Sequence, residues 1–132
     1  MTSRDLKSNV DASQSIAPQA LTGEANGTGA DTREFDSAMV VFHFGACADG
    51  TFTPVLEESD SLGSGYTSVA AADQQGTLAA VSNGVNENAD QRVGYIGNKR
   101  FIRATIEESG SSTGCLAGAT IHRGHPHGAP AA

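Results

Sequence analysis

The clearest pattern along this chain is alternation. In "SAMVVFHF" (37–44), Ala38, Val40, Phe42 and Phe44 fall on one side of an extended segment, and Met39, Val41 and His43 on the other. In "FIRATIEE" (101–108), Ile102, Ala104 and Ile106 share the apolar side; Phe101, Arg103, Thr105 and Glu107 share the opposite one. Further strand-like segments lie at 20–25, 53–58, 66–70, 91–95 and 116–122. Turn chemistry separates them: "NGTG" at 26–29, "DGT" at 49–51, "SDSLGSG" at 59–65, "SNGVNENAD" at 82–90, "IGN" at 96–98 and "SGSSTG" at 109–114. Short strands with no sustained 3.6-residue period predict an all-β fold, an antiparallel β-sandwich of jelly-roll-like form. Only "SVAAADQQGTLAAV" competes for helix, and Gly76 limits it to a turn.

The two ends break the pattern. Residues 1–19 are polar and aperiodic, which predicts an extended N-terminal arm, with Ile16 and Pro18 beginning to dock on the body. Residues 123–132 are rich in Gly, Pro, Ala and His and predict an extended C-terminal tail. Residues 20–122 form the sandwich domain between them. The segment 37–44 is apolar on both sides, so both sides are expected to be covered. The second sheet covers one; a loop, the arm or a neighbouring subunit covers the other.

Composition narrows the function. A chain of 132 residues is long enough to bury a core without staples. Its formal net charge of −7 argues against a general nucleic-acid binder. No apolar run approaches the roughly 18 residues of a membrane helix. The opening "MTSRDLKSNV" lacks the apolar core of a secretory signal, so the chain is expected to be made and used inside a cell. Cys47 and Cys115 form no CxxC pair and are expected to be reduced, buried thiols.

Charge is unevenly spread. Of eight basic residues, four (Arg92, Lys99, Arg100 and Arg103) lie in "RVGYIGNKRFIRATI" at 92–106, and none lies between 34 and 91. Two readings stand side by side. The stripe docks on an acidic partner, or it balances Glu57, Glu58 and Asp60 on a neighbouring strand. Only Tyr95 and Phe101 accompany it, too few for a base-stacking platform.

Catalytic chemistry finds no foothold. "HRGHPHG" brings His122, His125 and His127 together in sequence, the ligand type of a zinc site, but no Cys or carboxylate neighbours them. Surface hydrogen bonding is the plainer reading, and His43 reads as a satisfied core or interface histidine. Glu57 and Glu58, like Glu107 and Glu108, are adjacent on a strand and point to opposite faces, so neither pair frames a cleft. "NGVNENAD" lacks the spacing of a calcium loop.

The segments "DLKSNVDASQSIAP", "FDSAMVVFHFGACADGTFTPVLEESD" with "YTSVAAAD", and "QRVGYIGNKRFIRATI" followed by "GATIHRGHPH" carry a resemblance spanning nearly the whole chain. The chain resembles small virion structural proteins of tailed bacteriophages and is similar to capsid decoration (cement) proteins. The resemblance implies a non-enzymatic protein without cofactors that binds the capsid exterior and stabilises it. Its partners would be the major capsid protein and itself, as a homotrimer, with no nucleic acid and no membrane. Assembly would occur in the host cytoplasm. A head–tail connector or tail component is the alternative within the virion. A carbohydrate-binding β-sandwich on the virion surface is the alternative of another class, although the chain has no Trp and only Tyr66 and Tyr95 for stacking on sugars. No family motif marks functional residues. The partner-contact candidates are therefore Arg4, Lys7, Met39, Val41, His43, Arg92, Lys99, Arg100, Arg103, His122 and Arg123.

Overall fold

The alternating segments fold as strands. The computed structural model describes residues 4–128. In chain order the strands are β1 (Val10–Leu21), β2 (Ala25–Asn26), β3 (Ala30–Asp31), β4 (Phe35–Cys47), β5 (Thr51–Ser59) and β6 (Thr67–Ser68). They continue as β7 (Gln74–Gln75), β8 (Val81–Ser82), β9 (Ala89–Tyr95), β10 (Phe101–Ser109) and β11 (Cys115–Pro126). One 3-10 turn, Ala71–Asp73, is all that comes of the helix-prone stretch. Among the described residues no helix is long and apolar enough to cross a membrane.

Two antiparallel sheets pack as a sandwich. The first runs in the order β1-β11-β4-β9-β7. The second runs β2-β10-β5-β6, with β3 also on β10 and β8 on β5. The inner faces are the apolar halves of the alternation. Phe42 of β4, Phe52 of β5, Ile102 and Ile106 of β10 and Ile121 of β11 are all 0% exposed. Burying each such side chain contributes about 1.5–3 kcal/mol relative to leaving it in water.

Both expected extensions are partly strand. From Val10 the N-terminal arm is β1, which pairs with β11 from Val10↔Gly124 to Leu21↔Cys115. Ile16 and Leu21 are buried within it. Its polar composition reflects an edge strand on which Ala12, Gln14 and residues 17–20 are exposed, which hides the ladder from a periodicity reading. Ser15 ties the edge to the second sheet. Its hydroxyl donates to the Thr28 carbonyl at 2.8 Å and accepts the Ala104 N–H at 3.0 Å, and its own carbonyl accepts the Thr28 N–H at 2.8 Å. Gly27 permits this approach, because a Cβ there would lie 2.1 Å from the Ser15 hydroxyl. At the other end, residues 123–126 of the expected tail continue β11, with Pro126 opposite Phe35. Residues 1–3 of the arm and 129–132 of the tail lie outside the described residues.

The cysteines also differ from expectation. Cys47 and Cys115 stand opposite each other on β4 and β11 and form a disulfide, instead of two free thiols. They are separated by 68 residues, so only strand register brings them together.

Candidate functional site: two outer faces

The outer face of the second sheet carries the middle of the basic segment. Register places Arg103 of β10 opposite Glu57 of β5. Arg103 Nε donates to Glu57 Oε1 at 2.7 Å, and Thr105 Oγ1 donates to the same oxygen at 2.8 Å. The guanidinium lies 4.2 Å from the centre of the Tyr66 ring, a cation–π distance. The Arg103 and Glu57 side chains are only 22% and 16% exposed. Burial of Tyr66 pushes its phenol above the ordinary range. Arg103 thus lies on the outer face, as alternation requires, but its own chain covers it.

The neighbouring cations are paired as well. Lys99 Nζ contacts Asp60 Oδ2 at 2.8 Å. Arg100 forks onto Asp31, with Nε to Oδ1 at 3.0 Å and Nη2 to Oδ2 at 2.7 Å, and this contact lowers the Asp31 pKa. The cross-strand balancing of Glu57 and Asp60 is therefore present. Glu58 takes a different role: it accepts the Tyr95 hydroxyl at 2.7 Å. Burial first, and then that carboxylate, push the Tyr95 phenol up. Arg123 sits at one end of the sandwich, bound to the Asp11 carboxylate, to the Asp31 carbonyl at 2.6 Å and over the Phe35 ring.

The outer face of the first sheet is different. Met39 of β4 lies between Gly94 of β9 and His122 of β11, and Val41 lies between Arg92 and Thr120. Gly124 stands opposite Val10 on the same face. With no side chains at Gly94 and Gly124, the face sinks into an open groove of about 720 Å³. Leu6, 71% exposed, lines it from the N-terminal turn, while Arg92, His122, Gln75 and Gly76 contribute further lining. Met39 and Val41 are half-buried and His43 is exposed. The expected second cover over β4 is thus incomplete within this chain. Arg92 has no ion pair among the described residues.

Of the other candidates, Arg4, Lys7 and His43 are exposed and spread out, and His122 is half-buried. Arg4 and Lys7 flank Leu6 on a turn where Asp5 accepts the Ser8 N–H at 3.0 Å, which lowers the Asp5 pKa. His43 bridges Asp90 at 3.0 Å and Thr120 at 2.9 Å, so it is satisfied, but at the surface instead of in a core. His125 pairs with Ser37 and His127 with Asp36, while His122 lines the groove. The three imidazoles that are close in sequence diverge in space. Among the described residues no group of three or more His, Cys, Asp or Glu could hold a metal ion.

Sequence reasoning missed the polar residues that organise the disulfide end. Asp49 accepts the N–H groups of Ser112, Thr113 and Gly114 and the Ser112 hydroxyl, with the Gly114 contact at 2.8 Å. These donors hold its carboxyl down at about 2. Glu87 accepts the Cys47 N–H at 2.7 Å, and Asn83 donates to the Cys47 carbonyl at 2.7 Å. The Glu87 carboxylate of the 82–90 loop is therefore used on backbone, and Asp90 is used on His43. Spacing carries no signal for this, because each contact joins segments distant in sequence.

No protein-family model matches the chain, and no curated protein matches it. The functional reading consequently rests on the contrast between the two faces and on the sequence resemblance.

Proposed function

We propose that this protein is a virion structural protein of a tailed bacteriophage that binds the capsid exterior and stabilises the shell. The observation that carries the reading is the half-covered apolar groove around Met39 on the first sheet. A rigid sandwich with such a face suits a role in which it is completed by another protein. The sequence resemblance supplies the kind of partner, the major capsid protein, with a homotrimer as the bound form. Stability gained by the shell then follows from mass action, since the ligand binds the assembled shell and not the dissociated one.

The test is biochemical. Particles purified from the encoding phage are analysed by mass spectrometry, and undecorated shells are titrated with recombinant protein. The expected result is a copy number in proportion to the major capsid protein, and a higher shell melting temperature on addition. A copy number matching a single neck or tail ring would move the assignment to a connector or tail component. Absence from particles would overturn the reading.

A further inference from the structure

The groove is specific enough to say what part of a partner it takes. We propose that it receives an extended segment of the capsid protein in which one carboxylate pairs with Arg92 and a nearby apolar side chain seats over Met39. This rests on the decoration reading and names the chemistry recognised at its docking face.

The charge argument comes first. Arg92, Lys99, Arg100 and Arg103 make up the basic segment, and three of them are bound internally, to Asp60, Asp31 and Glu57. Arg92 is the member without an ion pair among the described residues, and it is also the member that lines the groove. A guanidinium beside an apolar floor is a directional receptor for a carboxylate, which it can engage through two parallel hydrogen bonds. None of the described residues lining the groove is acidic, so no carboxylate among them competes for that position.

Shape and net charge restrict the ligand further. At about 720 Å³ the groove has the size of a small-ligand site and accommodates a few residues, not a sheet. Its floor strand β4 is hydrogen-bonded on both sides, by β11 and β9, so it offers no backbone edge for strand addition. At β4 the groove offers side chains alone. The chain as a whole carries −7, so a polyacidic segment would be repelled over distances up to the Debye length of roughly 8 Å. A single carboxylate among apolar and neutral residues gains the Arg92 contact without that repulsion.

The experiment places a photo-crosslinking residue at Leu6, on the groove, and separately at Glu107, exposed on the outer face of the second sheet. Each full-length variant is bound to undecorated shells and the joined peptides are sequenced. The Leu6 probe should join a capsid-protein segment that contains Asp or Glu, and the Glu107 probe should not. In parallel, Arg92→Glu should weaken decoration at least about tenfold, as expected for reversing a buried interfacial charge. Arg92→Lys, which keeps the charge but loses the paired hydrogen bonds, should bind more weakly than the wild type and more tightly than Arg92→Glu, and both variants should melt like the wild type. Normal decoration by Arg92→Glu, capsid crosslinks from Glu107 alone, or crosslinks from Leu6 to a second copy of this chain would overturn the groove assignment while leaving the decoration reading standing. Failure of the wild-type protein to bind shells would remove both.

Discussion

On the outer face of the second sheet, Arg103 is held by Glu57 at 2.7 Å and covered by the Tyr66 ring. On the outer face of the first, Arg92 stands beside Met39 and Val41 with no ion pair among the described residues. Both arginines occupy the non-core side of an alternating strand. The cross-strand neighbour separates them: Glu57 opposite Arg103, Val41 opposite Arg92. A cation on a strand therefore says little about docking until its neighbour on the next strand is known. Where the neighbour is a carboxylate the cation is paired within the chain; where it is apolar the cation stays without an ion pair among the described residues.

The largest disruption does not distinguish the faces, because they share one core. Ile102 is 0% exposed between the sheets, and Ile102→Ala should cost about 2–5 kcal/mol in a denaturant titration. A wild-type midpoint would mean that the two faces do not depend on a common core. Next in size is the disulfide, which ties β4 to β11 in the first sheet alone. Its reduction should lower stability by about 2–4 kcal/mol. The Cys47→Ser, Cys115→Ser double variant should melt at the same temperature with and without reductant. Free thiols in the untreated wild type would contradict the pairing.

The comparison itself is tested by two matched substitutions. Arg103→Met strands the part-buried Glu57 carboxylate and should cost about 1–3 kcal/mol. Arg92→Met removes an exposed cation and should stay within about ±0.5 kcal/mol. Equal losses in thermal melts would erase the distinction between the two faces. The smallest effect is one of pH. The Asp49 carboxyl is lowered from the usual 3.8 to about 2 by the N–H groups it accepts. Its contribution is present in full above the ordinary carboxylate range and is lost as pH falls through about 2. Asp49→Asn should be less stable than wild type at neutral pH, and the gap should close over that acid interval. A gap that persists to the lowest pH would show that the charge is not what the loop uses.

Local chemistry in the sequence was enough for the strands of the core. The alternation in 101–108 assigned Ile102, Ala104 and Ile106 to the interior, because a side chain on a strand has only two faces to choose from; in 37–44 it grouped Val40 with Phe42, and only the packing of the sheets made theirs the core face. Turn residues marked most of the boundaries for the same local reason. The all-β sandwich follows from these two signals together. Tertiary structure decided everything that depends on which strand lies beside which. Strand register paired Cys47 with Cys115, turned polar residues 10–19 into an edge strand, and placed Asp49 under the 112–114 backbone. It also paired three basic residues of the 92–106 segment with carboxylates and left Arg92 beside a groove shaped by Gly94 and Gly124. These are contacts between residues far apart in the chain, and the energy that selects them comes from packing the whole core, which no short window of sequence contains.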